Sequence, residues 1–470
     1  MGVGFQIMYS ALICYLSISM GIFFAWPSVT VQIFKSNSTP LHRPMSDAEI
    51  SLFGSLSSIG AVVGTIIAGA LFDVIGRKAC AVLAAMSYVI SWGLIATVTQ
   101  VEVILLAVFI AGLGSSAMLI VRLFVSEICQ ESIRGSMTTG SLLFCSLGIL
   151  LSYALGGWTS YRTMLYTFLA IAIVGVFLTG ILRESPTFLM KKGRVEEAAR
   201  SIAFYRHAAI DSKEVLHEMD NLRRAFNPDL IGDNTNPEEV ALKPENEEKQ
   251  QVREKISFWK FMRKSYPTRR ALFVTLSLVA LGTFQGFTVL QVYAKPLFDE
   301  AVPNMSSTVC SIIQALITLA VALMSGTLSD LSGRRPLLIY SSIAAAVCCI
   351  ALGTQIQFHW APHWVTALFM YLFSVCYTFG AGTIPYVLVT DVFLPEIKSF
   401  VSTLVIEWSW ATCFILLFMF NPLVIWFGLG PVFYIFAGLC VATAVFTFFL
   451  LPETKGLPVD VVQGLFSRKR

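Results

Sequence analysis

Long apolar runs recur along almost the whole chain, and they constrain the possible folds more than any other feature. Residues 49–72, for example, contain a single charged residue, Glu49, at one edge. A run of about 20 apolar residues is long enough to cross a bilayer as an α-helix. Only 13% of the residues are charged, whereas soluble domains carry about 25%. The sequence therefore predicts an all-α membrane protein.

Twelve apolar runs can be distinguished, and they form two groups of six. The first six lie near 6–32, 49–72, 79–99, 102–124, 137–157 and 163–182. The second six lie near 271–295, 307–329, 336–357, 363–389, 400–422 and 429–451. We therefore predict twelve transmembrane helices in two six-helix halves, 1–182 and 271–452, with a cytosolic tail, 453–470.

A polar segment, 183–270, separates the two groups and holds 33 of the 62 charged residues of the chain. So many charges must lie in water, and we interpret the segment as a cytosolic linker. Residues 193–207 and 212–226 have the pattern of short amphipathic helices. Residues 227–251 are rich in Pro, Asn and Glu, and we predict that they are mobile.

The loops carry their cations asymmetrically, which predicts the orientation of the chain. If both termini are cytoplasmic, the short inner loops contain Arg77, Lys78, Arg134, Arg334, Arg335 and Lys398, whereas the outer loops hold few cations. This agrees with the positive-inside rule. Two Asn-x-Ser/Thr sequons, at Asn37 and Asn304, both fall on the predicted outside. We expect a multi-pass glycoprotein of the cell membrane.

One short motif occurs twice, at corresponding places in the two groups. "GALFDVIGRK" (69–78) follows the second run and "GTLSDLSGRR" (326–335) follows the eighth. Glycine at the first position lets another helix approach closely, and glycine before the arginine permits a tight turn. These pairs are Gly69 with Gly326 and Gly76 with Gly333. Repeated six-span halves are typical of transporters that bind substrate between the halves.

The charged residues of the motif are expected to interact beyond their own loop. We predict that Asp73 and Asp330 lie just beyond their helices, where a cation or a helix N-terminus can meet them. We expect Arg77 and Arg334 to reach the headgroups or an acid across the bundle.

Four further segments carry a family resemblance. They are "SEICQESIRG" after the fourth run, "RESPTFLMKKGRVEEAARSI" after the sixth, "DVFLPEIKS" after the tenth and "LPETKG" after the twelfth. With the repeated motif, they resemble the sugar-porter branch of the major facilitator superfamily, and within it insect facilitated trehalose transporters. The resemblance implies an alternating-access carrier whose inner gate ties the halves together when closed. Its residues would be Asp73, Arg77, Glu127, Arg134, Asp330, Arg334, Asp391 and Lys398.

The expected sugar site departs from the family pattern. A glutamine pair common in span 7 is replaced by Gly282 and Thr283, and an asparagine by Thr288. Gln285, Thr288 and Gln291 are three positions apart, so we predict that they share one helix face and replace the lost donors. The candidate substrate-binding residues are Gln285, Thr288, Gln291, Tyr293, Gln314, Thr318, Tyr386, Ser409 and Trp410.

Two charges lie inside predicted spans, where charged residues are costly and usually functional or paired. Arg122 stands where the family has a proline, and Glu407 lies well within span 11. One hypothesis pairs them across the halves, chiefly in the outward-open state. Alternatively, Arg122 extends to the inner interface and Glu407 is a proton site.

The sequence predicts transport of a sugar, either a monosaccharide or a disaccharide such as glucose or trehalose. Facilitative uniport is the default expectation, because span 1 lacks the acid of several proton-coupled relatives. The alternatives are a non-transporting sugar sensor and a proton-coupled carrier of another small organic solute. No nucleotide loop, nucleophile arrangement or metal cluster indicates an enzyme or a cofactor. The expected partners are a small-molecule substrate and the lipid bilayer, without nucleic acid, and we expect a monomer.

Overall fold

The computed structural model describes residues 2–226 and 265–467, and all the regular structure in them is helical. The segment predicted to be mobile, 227–251, lies outside the described residues. Twelve stretches are long and apolar enough to cross a membrane, one for each predicted run, and we number them span 1 to span 12: Val3–Lys35, Asp47–Ile75, Arg77–Thr97, Val101–Ile128, Ile133–Trp158, Tyr161–Ile181, Tyr266–Val292, Ser307–Gly326, Arg334–Phe358, His363–Val392, Phe400–Phe427 and Leu429–Leu450. The predicted all-α membrane fold is confirmed.

The helices themselves often extend beyond these spans or divide them. Before the undescribed segment they are Gly2–Cys14, Leu16–Lys35, Asp47–Ile75, Arg77–Thr97, Val101–Gly114, Ala117–Ile128, Glu131–Trp158, Tyr161–Ile181, Pro186–Lys191, Val195–Arg206 and Lys213–Phe226. After it they are Tyr266–Phe284, Phe287–Val292, Ala294–Ala301, Ser307–Ser332, Arg334–Phe358, His363–Phe379, Ile384–Val392, Pro395–Phe427, Leu429–Leu450 and Val459–Ser467. Val195–Arg206 and Lys213–Phe226 are the helices predicted in the linker.

The same pairs of spans pack together in both halves. Span 1 packs on span 5, span 2 on span 4 and span 3 on span 6, and the pairs 7–11, 8–10 and 9–12 repeat this arrangement. Small residues permit the closest approaches. A Cβ atom on Gly60 would lie 2.3 Å from the carbonyl oxygen of Phe109, so span 4 lies directly against the backbone of span 2. The halves meet where span 2 packs on span 11 and span 5 on span 8.

Two spans of the second half are broken near their middle. In span 7 the helix ends at Phe284, and Gly286 adopts a positive φ of 95° before the next helix begins. In span 10 the break lies between Phe379 and Ile384, in a stretch that contains Gly380 and Gly382. The break in span 7 was not predicted, and it changes which side chains share a face.

The two halves are joined toward one end of the bundle. We call the end that carries the turns at Gly76 and Gly333 the motif face, and the opposite end the far face. The hydrogen bonds between the halves lie midway or toward the far face: Lys295 N to Ser28 Oγ (2.8 Å), Tyr153 OH to Gln291 O (2.6 Å), Asn421 Nδ2 to Asp47 O (3.0 Å) and Ser58 Oγ to Cys413 Sγ (3.5 Å). Among the described residues, no ion pair crosses at the motif face. Leu142 and Tyr386, which line the space between the halves, are nevertheless 45% and 40% exposed, so this space is open on the side away from those contacts, toward the motif face.

This open state explains a prediction that is wrong for the structure. We expected Gly69 and Gly326 to lie against another helix, but a Cβ atom on either would meet nothing within 4 Å. Both glycines lie near the motif face, where the partner spans of the other half are separated. A second correction concerns Asp73, which lies inside its helix because the helix continues to Ile75.

Candidate functional site

A central cavity of about 300 Å³ lies between the halves. Spans 1, 4 and 5 contribute Met20, Phe24, Met118, Leu142, Cys145, Ser146 and Ile149 to its wall. Spans 7, 8, 10 and 11 contribute Thr283, Phe287, Thr288, Gln291, Thr318, Tyr377, Thr378, Gly382, Tyr386, Ile406, Ser409, Trp410 and Cys413. The volume is at the lower end of the range for small-molecule pockets, and most polar groups belong to the second half.

Six of the nine predicted substrate-binding residues line this cavity: Thr288, Gln291, Thr318, Tyr386, Ser409 and Trp410. The hydroxyl groups of Tyr386 and Ser409 are 2.8 Å apart and link spans 10 and 11. The cavity therefore has an aromatic wall with hydroxyl groups.

Two predicted glutamines lie away from the cavity. Gln285 is fully buried, and its Nε2 donates to Thr443 Oγ1 of span 12 at 2.9 Å. Because the left-handed residue Gly286 separates the two helices of span 7, Gln285 does not continue the face of Thr288 and Gln291. Gln314 is also buried, and its Nε2 donates to Ser374 Oγ of span 10 at 2.6 Å. Both amides connect spans of the second half.

Tyr293, the ninth candidate, belongs to the closed far end of the cavity. Its ring packs on that of Phe420 with centroids 5.3 Å apart. A Cβ atom on Gly54 would lie 2.0 Å from the Tyr293 hydroxyl oxygen, so span 2 can approach this ring only with glycine there. Tyr293 thus seals the far face rather than lining the cavity.

Several lining residues were missed from the sequence. The rings of Phe287 and Tyr377 stack with centroids 4.5 Å apart and join the broken spans 7 and 10. Met20 and Phe24 of span 1 are four residues apart, a spacing that places them on one helix face. That spacing was the available signal, but an apolar pair cannot be distinguished from ordinary helix packing in a membrane chain.

A compact ion-pair cluster lies on the motif face of the first half, and we call it the amino-terminal lock. Arg77 donates from Nε and Nη2 to the Glu127 carboxylate at 3.0–3.2 Å. Ser185 Oγ also donates to Glu127. Asp73 lies 2.7 Å from Lys191 Nζ and 3.6 Å from Arg77 Nη1. The lock thus joins spans 2, 3 and 4 to the segment after span 6.

Glu184 completes this lock by holding the start of span 3. Its carboxylate accepts the backbone N–H groups of Arg77 at 2.9 Å and Lys78 at 3.0 Å. The first N–H groups of a helix have no partner within it, and an acid is favourable there. Gly76 has φ 94°, and a Cβ atom would lie 2.3 Å from Glu184 Oε2. The predicted tight turn is confirmed, and the close approach of Glu184 also requires glycine.

The carboxy-terminal lock repeats this arrangement in the second half. Arg334 Nε donates to Asp391 Oδ2 at 2.9 Å, and Thr454 Oγ1 donates to the same oxygen at 3.2 Å. Glu453 accepts the backbone N–H groups of Arg334 and Arg335, each at 3.0 Å. Gly333 has φ 86°. Sequence analysis missed Glu184 and Glu453, although each begins a Glu-Ser or Glu-Thr pair after the last span of its half.

Five of the eight predicted gate residues pair within their own half in this state, namely Asp73, Arg77, Glu127, Arg334 and Asp391. Asp330 belongs to the helix Ser307–Ser332, but its side chain lies outside what the structure describes. Arg134 is exposed and Lys398 is partly buried. The predicted contacts across the halves concern the closed motif face, so they stay a prediction.

The two charges within spans are not paired with each other in this state. Both carboxylate oxygens of Glu407 are enclosed and have no hydrogen-bond partner among the described residues. Arg122 interacts electrostatically with Tyr386 and Cys145. The hypothesis of a pair in the outward-open state stays a prediction. No group of three His, Cys, Asp or Glu side chains suited to a metal occurs in the described residues.

Comparison with known proteins places this geometry in context. The family model described as "Sugar (and other) transporter" matches residues 5–466. Sugar transporter ERD6-like 8 of Arabidopsis thaliana is 28% identical, over 90% of this chain and 85% of the relative. Facilitated trehalose transporter Tret1 of Apis mellifera ligustica is 21% identical, over 98% and 88%. The inward-open structure of the xylose transporter XylE from E. coli superposes with a TM-score of 0.77 at 18% identity, over 98% of this chain and 99% of that one.

Proposed function

The chain belongs to the sugar (and other) transporter family, and we propose that it moves a sugar across a membrane by alternating access. It is a multi-pass membrane protein of the major facilitator fold and not an enzyme. One observation carries the proposal: the cavity is lined by both halves and closed at the far face, while the motif face is open. Rocking of the halves would expose the same residues to the other side.

We propose that the motif face is cytoplasmic and that both termini lie on that side, in the cell membrane. The cations of the short loops support this orientation. Asn37 and Asn304 are exposed in loops of the far face, where glycosylation would require them. We further propose that the carrier is a monomer in the bilayer, with halves 1–182 and 271–452 connected by the linker 183–270 and followed by the tail 453–470.

Facilitative uniport is the proposed mode, because the cavity-facing residues of span 1, Met20 and Phe24, are apolar. A proton-coupled carrier is the second candidate, and Glu407 is the observation that favours it. An enclosed carboxylate without a donor is costly as an anion, so a bound proton would relieve that cost. Dependence of uptake on an imposed pH gradient, abolished by Glu407→Gln, would select this mode.

The test is uptake by proteoliposomes that contain the purified full-length protein. We expect saturable uptake of labelled glucose, trehalose or another sugar of a panel, inhibited by the same unlabelled sugar. Gln291→Ala should raise KM several-fold, since a hydrogen bond is worth about 0.5–1.5 kcal/mol. Gln32→Ala, at an exposed position of the far face, is the matched control. Sugar binding without uptake would favour a sensor, and neither binding nor uptake would refute the proposal.

A further inference from the structure

Arg122 lies one helical turn beyond the cavity wall formed by Met118, on the side of the motif face. It follows Met118, which lines the cavity, by four residues in the helix Ala117–Ile128. Side chains at this spacing share a helix face, so Arg122 continues the cavity wall by one turn toward the motif face. Tyr386 and Cys145, which both line the cavity, lie within electrostatic range of its guanidinium group. The guanidinium group therefore faces the same space as the predicted substrate-binding residues.

Among the side chains that the structure describes, no carboxylate is a partner of Arg122 in this state. Among the described residues, the ionisable groups that interact with it are a phenol and a thiol, and no carboxylate is included. The nearest acid in its own helix, Glu127, is already held by Arg77 and Ser185. Charges within membrane spans usually have a partner or a function, so an external anion is the missing counterpart.

The rest of the cavity is poorly equipped for a neutral sugar alone. Gln291 is the only amide among the described residues that line it, and the Nε2 groups of Gln285 and Gln314 donate away from it, to Thr443 and Ser374. A guanidinium group presents paired N–H donors that fit a carboxylate or a phosphate in two parallel bonds. The site thus combines hydroxyl and aromatic groups for a sugar ring with one cation for an anionic substituent.

We propose that Arg122 binds an anionic group on the transported sugar, so that the substrate class is a sugar acid or a sugar phosphate. The inference rests on the proposed function, since it concerns the same cavity. Relative to the family pattern, the site has lost amide side chains and gained the cation Arg122. A substrate with an anionic group accounts for both changes.

Uptake by proteoliposomes tests the inference with three labelled probes: glucose, glucuronate and glucose 6-phosphate. We expect the wild-type KM for one of the anions to be at least about tenfold below that for glucose, as a charge-assisted hydrogen bond provides. Arg122→Gln should remove this preference by raising the KM for that anion more than the KM for glucose. Arg122→Lys should keep part of it, and the comparison of the two anions identifies the recognised group.

Arg162→Gln is the matched control, because Arg162 is an exposed arginine at the far face. Thermal unfolding of each variant in detergent verifies folding. In the same assay, a rise in the unfolding temperature of Arg122→Lys when the preferred anion is added provides a second measurement of binding. Wild-type uptake of glucose in preference to both anions would overturn the inference and leave the proposed function intact. An equal rise of all three KM values in Arg122→Gln would also overturn it. Uptake of none of the probes or of the wider sugar panel would overturn both.

Discussion

The amino-terminal and carboxy-terminal locks are built from corresponding residues, but they differ in the solvent exposure of the ion pair and in the length of its acidic side chain. The side chains of Arg77 and Glu127 are 9% and 10% exposed, whereas those of Arg334 and Asp391 are 12% and 19% exposed. Glutamate is one methylene longer than aspartate, and in the first lock its carboxylate meets both Nε and Nη2 of the arginine. The comparison teaches that one motif can give two ion pairs that differ in exposure to water when the acid and its surroundings change.

The surroundings add to this difference. The linker helix Pro186–Lys191 covers the amino-terminal lock, and the ring of Phe188 lies 5.4 Å from the Arg77 guanidinium carbon. Lys455 of the tail donates to the carbonyl oxygen of Leu331 at 2.7 Å beside the carboxy-terminal lock, but it is exposed. A cation covered by an aromatic ring is better shielded from water and salt than one beside an open tail.

The largest expected effect comes from removing the arginine of the more enclosed lock. Arg77→Gln leaves the Glu127 carboxylate buried without its cation, which should cost about 3–5 kcal/mol. Arg334→Gln should cost less, because Asp391 is nearer to water. Thermal unfolding of the purified variants in detergent measures both losses, with Arg200→Gln in an exposed pair as the control. If Arg334→Gln lowered the free energy of unfolding as much as Arg77→Gln, the two locks would contribute equally to stability and the proposed difference would be wrong.

An intermediate and equal effect is expected from the two capping acids. Glu184→Gln and Glu453→Gln each weaken bonds to two backbone N–H groups at the start of a span and to the N–H groups that follow the acid itself, at a cost of about 1–2 kcal/mol. Because the capping distances match in the two halves, the two losses should agree. This result would sharpen the comparison by confining the asymmetry to the arginine–acid pairs. Unequal losses in the same unfolding assay would show that the caps differ as well.

The smallest effect is expected at Asp73 and Lys191. Their side chains are 58% and 47% exposed, and exposed ion pairs contribute about 0–1 kcal/mol. Lys191→Gln should therefore change the unfolding temperature only slightly, and any change should vanish at high salt. A salt-independent loss comparable to that of Glu184→Gln would mean that the linker helix is held chiefly by this pair.

Much of the fold could be predicted because a membrane span can be identified from a local run of apolar residues. Each of the twelve runs and both tight turns could be identified without knowledge of tertiary contacts. The partners of Arg77 and Arg334 could not be predicted with the same certainty. A charged residue in a loop can meet an acid of its own half or of the other half, and the choice depends on the state of the carrier.

The binding site was predicted less completely, for a reason that span 7 makes plain. Periodicity assigns Gln285, Thr288 and Gln291 to one face only if the helix is continuous. The positive φ of Gly286 separates Gln285 from the other two, and a single glycine in an apolar run does not reveal this. Glu184 and Glu453 were missed because their function depends on two backbone N–H groups, which carry no sequence signal.

The amino-terminal lock has a consequence for the order in which the protein is made. All its groups, from Asp73 to Lys191, precede the seventh span in the chain. All the groups of the amino-terminal lock are therefore synthesised before the ribosome begins the second half. Newly inserted spans can pair their charges at once, so the nascent half would not wait for the remainder of the polypeptide to bury Glu127.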